Sequence, residues 1–127
     1  MDFRKIASVK ITGPAAGGSV TKVSLPARGG GRMASRMQYM LLVRSVSSDQ
    51  AKLGLILDQG PDGIVFREHS TPIANTQLTG TNAELLVGDV DFAKVLGEFL
   101  RATLTCISND ASACWVLVDV YEMRKPF

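Results

Sequence analysis

The chain has 127 residues, of which 46% are hydrophobic and 20% are charged, and its formal net charge at pH 7 is +2. This size and composition indicate one globular domain that can bury a core without metal or disulfide support, and they argue against global disorder. No apolar run reaches the ~20 residues that a membrane-spanning helix needs. The opening residues Met1–Lys5 lack the apolar core of a signal peptide, so we expect the protein to be made and folded in the cytoplasm.

The charges are divided by position along the chain. Residues 1–52 carry nine Lys or Arg side chains against two Asp, a net charge of +7, whereas residues 53–127 carry five basic against ten acidic side chains, a net charge of −5. This division predicts a protein that binds copies of itself head to tail, or that turns its basic half toward a polyanion. In either case the encounter rate falls as the salt concentration rises.

Glycine and proline divide the first half of the chain into short segments, a pattern that favours strands over long helices. We predict strands at Lys5–Thr12 and Val20–Leu25. A nearly continuous apolar run predicts a central strand, buried on both faces, at Gln38–Val46. The Gly-rich segments 13–18 and 27–36 predict flexible hinges for arms that become ordered only on assembly.

A β-hairpin is predicted in the middle of the chain. Leucines alternate with other residues over positions 52–57, Gln59–Gly63 has strong turn composition, and Ile64–His69 is predicted as the return strand. The aspartates of this region also suggest a calcium loop. A hairpin turn is preferred, because the regular oxygen ligands and the terminal Glu of an EF-hand are missing. Residues 70–82, rich in Thr, Asn, Gly and Pro, are predicted as a long surface loop.

Two further elements precede the carboxy-terminal strands. We predict a strand at Ala83–Val87 and one helical turn at Asp91–Leu96, where Asp91 can cap the turn and apolar residues fall at helical spacing. The sequence shows no internal repeat and no domain linker. Together the segments predict an all-β chain that folds as a single antiparallel β-sandwich or jelly-roll-like domain over residues 1–127, with at most one short helix.

The last two strands are predicted to form a hairpin. Phe99–Ile107 and Ala113–Met123 flank a polar turn, and each strand has one wholly apolar face. The favoured register keeps Asp119 out of the core, because an unpaired buried carboxylate is costly. In this register Arg101 lies opposite Asp119, and opposite-charge pairs across strands are mildly stabilising.

The same register places Cys106 opposite Cys114. Cross-strand neighbours have Cβ atoms about 4.5–5.5 Å apart, which is slightly wide for a disulfide but within reach after relaxation. Two reduced core cysteines are the preferred interpretation for a protein made in the cytoplasm. The alternative is a disulfide that closes after release into an oxidising medium.

The outward face of this predicted hairpin is the candidate interface. Aromatic residues interleave there with charges and threonines, a mixture that is enriched at subunit interfaces. Its principal members are Arg101, Trp115, Asp119 and Tyr121. In the alternative interpretation, a second sheet or the segment around Phe92 covers this face within the same domain.

The sequence contains no recognisable catalytic or metal site. His69 is the single histidine, and Glu68 and Ser70 are not expected to join it in a triad because successive side chains of a strand point apart. No Gly-x-Ser-x-Gly nucleophile motif is present, and two cysteines with one distant histidine do not make a zinc site. We therefore expect a non-enzymatic protein that uses no metal or cofactor.

Arg28, Arg32 and Arg36 lie on a glycine-rich segment that lacks nucleotide-binding spacing. Arginines on such a segment suit the phosphate backbone of a nucleic acid, bound without sequence preference. No aromatic residue interleaves with them, which argues against a stacking platform for single strands. A solvated connector and a contact with a polyanion or an acidic neighbouring subunit are the two interpretations.

Three stretches resemble small β-sandwich structural proteins of bacteriophage particles, including capsid-associated and decoration proteins. They are Leu57–Phe66, Leu96–Leu104 and Val116–Phe127, so the resemblance covers about the last half of the chain. In those proteins an Asp- and Gly-rich hairpin turn is followed by an aromatic residue, and a Leu-Gly-x-Phe/Tyr-Leu-Arg strand precedes the last hairpin. The resemblance implies a virion component, and it assigns no functional residue.

These observations predict a structural protein that self-assembles or coats a particle, with itself and other particle subunits as partners and no membrane partner. Non-specific nucleic-acid contact through the basic half is compatible with this role. The alternative is a ligand- or carbohydrate-binding β-sandwich module. Such a module needs exposed aromatic residues on one face, and the chain has one Trp, two Tyr and five Phe.

Overall fold

The computed structural model describes residues 3–13, 20–48, 51–80, 83–91, 96–108 and 114–126. These residues form eight β-strands and one 3-10 turn, Gly31–Met33. In chain order the strands are β1 (Arg4–Thr12), β2 (Thr21–Ser24), β3 (Ala34–Val46), β4 (Ala51–Gly60), β5 (Arg67–Gln77), β6 (Glu84–Asp89), β7 (Phe99–Ser108) and β8 (Trp115–Pro126). Across the described residues, no helix has the length and apolar character that crossing a bilayer requires.

The strands form two four-stranded antiparallel sheets. Sheet A has the strand order β1-β8-β3-β6, and sheet B has the order β2-β7-β4-β5. The predicted antiparallel β-sandwich is therefore confirmed. Neighbours within a sheet often come from distant parts of the sequence, as β1 beside β8 illustrates.

The inner faces of the two sheets enclose one apolar core. Leu53, Leu55 and Leu57 of β4 are fully buried, and Leu41 and Val43 of β3 belong to the same cluster from the other sheet. Complete burial of such a side chain contributes roughly 1.5–3 kcal/mol relative to leaving it exposed. The alternation of residue types along each strand therefore produces the two-layer packing.

The predicted carboxy-terminal hairpin is wrong, because β7 and β8 belong to different sheets. β7 pairs with β2 and β4, whereas β8 pairs with β1 and β3. Arg101 therefore lies opposite Asp58, and Asp119 lies between Ser8 and Leu42. Each strand has one apolar face, and both a hairpin and two facing sheets can bury that face. The residue pattern does not distinguish these arrangements.

Cys106 and Cys114 consequently are not cross-strand neighbours within one sheet. Cys106 lies on β7 in sheet B, and Cys114 immediately precedes β8 in sheet A; both side chains are buried. Burial, assisted by the nearby Cys114, raises the pKa of the Cys106 thiol to about 11. The Cys114 Sγ atom lies 2.9 Å from Ser108 Oγ. The pairing geometry from which the disulfide alternative was argued is absent from the described strands.

The middle hairpin is confirmed, with a longer second strand than predicted. β4 and β5 flank a loop at 61–66, and β5 continues to Gln77, so most of the predicted surface loop 70–82 is strand. β5 is an edge strand with three register shifts against β4, and bulged edge strands tolerate proline. β6 confirms the strand predicted near Ala83. The predicted helical turn falls mainly on 92–95, outside the described residues.

The basic and acidic halves of the chain interleave within the sandwich. Among the described residues, three ion pairs join the two halves, namely Arg28–Glu122 at 2.8 Å, Arg36–Asp89 at 4.0 Å and Arg44–Asp119. The charge division along the sequence therefore serves in part for contacts inside the domain, rather than only for contacts between molecules.

The Gly-rich segment 27–36 packs at one end of the sandwich. Arg28 exchanges two backbone hydrogen bonds of 2.8 Å with Leu100. Gly30 has the left-handed conformation, with φ of 85°, that precedes the 3-10 turn. These contacts attach the segment to the body of the domain. Of the other predicted hinge, 13–18, the described residues include Gly13 and no more.

Candidate interaction surfaces

The outer face of sheet A exposes apolar side chains. Leu85 and Val87 of β6 are 53% and 52% exposed, and Leu117 of β8 is 37% exposed. Together with half-buried neighbours on the same side they form a set that we call the sheet A face: Met40, Leu42, Leu85, Val87, Trp115, Leu117 and Tyr121. The sequence predicts β3 to be buried on both faces, but the described part of the chain covers only its inner face.

The strand register places five of these apolar residues next to one another. Met40 on β3 lies between Val87 on β6 and Tyr121 on β8. Leu42 lies next to Leu85 in the same way. The alternation that directs every second residue of β3 into the core directs these residues outward. A contiguous exposed apolar surface of this kind is typical of an interaction site.

A buried carboxylate lies within the sheet A face. Asp119 is 4% exposed, accepts a 2.6 Å hydrogen bond from Ser8 Oγ, and forms an ion pair with Arg44. The Ser8 hydroxyl, followed by the Arg44 guanidinium, holds the pKa of Asp119 below its usual value. Asp119 therefore stays ionised, and its charge is balanced by groups of the same domain.

An open groove of about 430 Å³ lies along β1 and β8 beside this ion pair. Its lining includes the exposed Leu117, and Lys5, Lys10 and Arg44 place positive charge around it. The Lys10 ammonium is 5.3 Å from the centroid of the Trp115 ring, which is a cation–π contact. The groove thus combines an apolar part with a basic rim.

The outer face of sheet B is polar. Asp58 Oδ2 accepts hydrogen bonds from Thr103 Oγ1 at 2.8 Å and from Arg101 Nε at 3.2 Å. Thr103 shares a further 3.0 Å hydrogen bond with Ser24. The Arg101 guanidinium lies 4.4 Å from the centroid of the Phe66 ring. Hydrogen-bonding groups from three neighbouring strands and one aromatic ring are thus collected on this face.

A second buried carboxylate organises the end of the sandwich near the 3-10 turn. Glu122 accepts hydrogen bonds from Tyr39 Oη at 2.7 Å, Arg28 Nη1 at 2.8 Å and Arg124 Nε at 2.7 Å. Burial, followed by the negative charge of Glu122, raises the pKa of Tyr39 well above its usual value. The adjoining cavity measures about 70 Å³. Because the cavity is this small and the carboxylate is fully engaged, we interpret the cluster as a structural anchor.

The predicted interface residues divide between the two sheets. Trp115, Asp119 and Tyr121 share the outer side of sheet A, as their spacing on one strand predicts. Arg101 instead lies on the outer side of sheet B, opposite Asp58. The structure therefore brings three of the proposed interface residues together and separates the fourth from them.

The three arginines of the 27–36 segment have different environments. Arg28 is half-buried and bound to Glu122. Arg32 is exposed, and Arg36 is exposed with a long contact of 4.0 Å to Asp89. Arg32 and Arg36 are therefore the members of this group that are available to a partner.

His69 is buried and is hydrogen-bonded to Ser70, the next residue of the chain. Its Nδ1 atom lies 2.8 Å from Ser70 Oγ, so the expectation that these side chains point apart is wrong. On β4, Leu57 pairs with Ser70 and the next residue, Asp58, pairs with Glu68. His69 is therefore the extra residue of a β-bulge in β5. Within the described residues, no group of three or more His, Cys, Asp or Glu side chains is placed to hold a metal ion.

The sequence pattern does not reveal the most exposed apolar residues. The run Leu85-Leu86-Val87 hides its alternation because all three residues are apolar, although only Leu86 packs against the core. Ile64 and Val65 are predicted as strand, but they lie at the tip of the β4–β5 loop and are 82% and 66% exposed. The preceding Asp62-Gly63 pair is the sequence signal that could have extended the turn to include them.

The chain matches no protein-family profile, and no curated protein is similar to it in sequence. Solved structures are similar to it in fold. A chain of infectious bursal disease virus, Gx strain, has a TM-score of 0.62 and 10% identity over 95% of this chain and 31% of that chain. The VP2 subviral particle of infectious bursal disease virus has a TM-score of 0.62 and 9% identity over 95% of this chain and 32% of that chain. TmCBM61, solved in complex with β-1,4-galactotriose, has a TM-score of 0.52 and 15% identity over 93% and 70% of the respective chains.

The similarities concern the fold: the chain resembles β-sandwich domains of viral particles and of a protein solved in complex with a carbohydrate. The chain spans 31% and 32% of the length of the two viral chains that it matches. At sequence identity this low, residues of this chain cannot be matched one by one to residues of those proteins. The function must therefore be argued from the surfaces of this chain.

Proposed function

We propose that this protein is a non-enzymatic structural subunit that self-assembles or coats a particle, and that the particle is a virion. The observation that carries the proposal is the sheet A face, where exposed Leu85, Val87 and Leu117 lie on the same outer side of the sheet as half-buried aromatic residues. Subunit interfaces are enriched in such apolar and aromatic residues. The fold shared with viral-particle chains supports the same assignment.

The bacteriophage origin of the particle rests on sequence resemblance. Leu57–Phe66, Leu96–Leu104 and Val116–Phe127 are similar to segments of phage structural proteins, so we assign the protein to a bacteriophage virion. Its partners are further copies of the chain and other particle subunits. The exposed Arg32 and Arg36 supply a non-specific contact with nucleic acid.

Two matched valine variants test whether the sheet A face carries assembly. Val87→Asp places a carboxylate on the face, whereas Val20→Asp places the same group at a position that is 40% exposed and outside the face. We expect the wild type and Val20→Asp to form the same discrete oligomer. Val87→Asp should need an about tenfold or greater concentration for half-assembly, because a carboxylate is costly to desolvate. Light scattering after size exclusion measures this concentration.

Two outcomes contradict the proposal. One is a wild-type protein that stays monomeric at every concentration, alone and with particle partners. The other is an oligomer that is equally stable in the wild type and in Val87→Asp.

A second candidate function is carbohydrate binding, which the polar outer face of sheet B favours. Asp58, Thr103 and Arg101 form a connected set of hydrogen-bonding groups beside Phe66, and TmCBM61 is complexed with β-1,4-galactotriose. Calorimetric binding of β-1,4-galacto-oligosaccharides, lost in Arg101→Ala, is the result that this candidate predicts. No heat of binding at millimolar oligosaccharide removes it.

A further inference from the structure

The loop between β4 and β5 holds two apolar side chains out in solvent. Ile64 is 82% exposed and Val65 is 66% exposed, and Ile64 is the most exposed large apolar residue of the described chain. They lie next to each other at the end of a long hairpin rather than on a sheet face. Apolar side chains at such a position are free to enter a pocket on another molecule.

Contacts of the neighbouring residues favour this conformation of the loop. Asp62 Oδ1 accepts hydrogen bonds from the backbone N–H groups of Ile64 at 2.9 Å and Val65 at 3.0 Å. These two hydrogen bonds also lower the pKa of Asp62. Gly63 has a φ of 77°, and a Cβ there would lie 3.2 Å from the Phe99 ring. Because the loop is already ordered, little conformational entropy is lost when it binds.

The surface that fits this loop is the groove beside Leu117. Its volume of about 430 Å³ accommodates branched aliphatic side chains, and its rim carries Lys5, Lys10 and Arg44. Residues 58–68 carry three carboxylates against one guanidinium. Arg101 binds Asp58 and lies over Phe66, which leaves the loop with a net charge of −1 when Arg101 is counted. The groove lining carries three basic side chains and the Asp119 carboxylate, and Leu117 is its exposed apolar side chain. A mildly acidic loop with an apolar tip is therefore complementary to it in charge and in its apolar part.

We propose that the Ile64–Val65 tip of one copy inserts into the Leu117 groove of a second copy. This inference rests on the proposed structural function and identifies what covers the Leu117 part of the sheet A face. The contact joins two different surfaces, so it is heterologous: each copy offers one tip and one groove, and copies add head to tail. Repetition of the contact closes into a ring or continues as a chain, and the charge component weakens as salt rises.

The test uses one variant defective in the tip and one defective in the groove. Val65→Asp places a carboxylate in the apolar tip beside Ile64, which is costly to desolvate, and leaves the groove intact. Leu117→Glu places a carboxylate in the groove, where it repels the acidic loop, and leaves the tip intact. We expect each variant alone to be monomeric. An equimolar mixture should form a heterodimer of twice the monomer mass and nothing larger, because one functional tip meets one functional groove.

Controls separate this inference from the proposed function. Val20→Asp should assemble as the wild type does, and circular dichroism checks that each variant is folded. If Leu117→Glu fails to fold, the double variant Lys5→Glu with Lys10→Glu on edge strand β1 replaces it. Wild-type assembly with full assembly of Val65→Asp overturns the tip contact and leaves the structural function standing. A mixture that stays monomeric also overturns the tip contact. A wild type that never assembles contradicts both.

Discussion

Tyr39 and Glu122 are paired in register on neighbouring strands, and the Tyr39 hydroxyl donates a 2.7 Å hydrogen bond to Glu122 Oε2 inside the sandwich. Arg28 and Arg124 both donate to the other carboxylate oxygen. Arg124 also donates through Nη1 to the Gly29 carbonyl oxygen at 2.8 Å. The carboxylate therefore attaches Arg28 and Gly29 to sheet A, whereas the end of the 27–36 segment already belongs to β3.

Removal of the Tyr39 hydroxyl should destabilise the fold measurably. Tyr39→Phe leaves the buried carboxylate with one hydrogen bond fewer, and hydrogen bonds to charged groups contribute about 1.5–3 kcal/mol. Urea unfolding measures the loss. Tyr121→Phe, which alters the half-buried tyrosine of the outer face, should cost less than about 1 kcal/mol. Equal effects of the two substitutions would contradict the structural role assigned to Glu122.

Asp119 should make stability depend on pH in the acidic range. Its folded-state pKa is lowered by Ser8 and Arg44, so its contribution is present above the unfolded-state pKa of about 3.9 and is lost as the pH falls through the folded-state pKa. Asp119→Asn should therefore be less stable than the wild type at pH 7, and the difference should shrink below about pH 4. Urea midpoints at both pH values test this. A stability difference between the two proteins that grows as the pH falls would contradict this role of Asp119.

The two thiols should be protected in the native protein. The pKa of Cys106 is raised to about 11 by burial, so on the order of one thiol in a thousand is ionised at pH 8, and the thiolate is the reactive form. Reaction with a disulfide reagent should be slow in buffer and complete for both cysteines in urea. Rapid reaction of the folded protein would show that the two thiols are more accessible than this packing allows.

Gly88 should be essential for the approach of the two sheet edges. A Cβ at Gly88 would overlap the carbonyl oxygen of Pro72, so Gly88→Ala forces β5 away from β6. We expect a loss of about 1–3 kcal/mol, which is typical of overpacking. Gly29→Ala is the matched control, since its Cβ would meet only the Phe99 ring at 3.6 Å and above, and it should stay within about 0.5 kcal/mol. Thermal unfolding of both variants measures the contrast.

The fold class follows from the sequence because alternation sets the face of each residue on a strand. Leu53, Leu55 and Leu57 are buried where their spacing predicts. The same argument cannot say to which sheet a strand belongs. Arg101 and Asp119 were paired from their charges and spacing, yet each found its partner on another strand, because the chain crosses between sheets after β7.

The candidate interface, like the fold, is predictable from the sequence only in part. Trp115 and Tyr121 share the outer side of β8, as their spacing requires. The residues that complete the surface could not be found in the same way. Leu85 and Val87 join it through pairing with β3, a long-range contact that local sequence does not encode. Ile64 owes its exposure to the turn geometry around Gly63 rather than to its own hydrophobicity.

Native molecular mass at low and high salt tests the central claim most directly. The account predicts a discrete oligomer at low salt whose mass falls as salt is added, since an apolar contact is assisted by complementary charges. Light scattering after size exclusion, repeated over a range of concentrations, provides the measurement. A protein that remains monomeric at both salt concentrations contradicts self-assembly through the sheet A face.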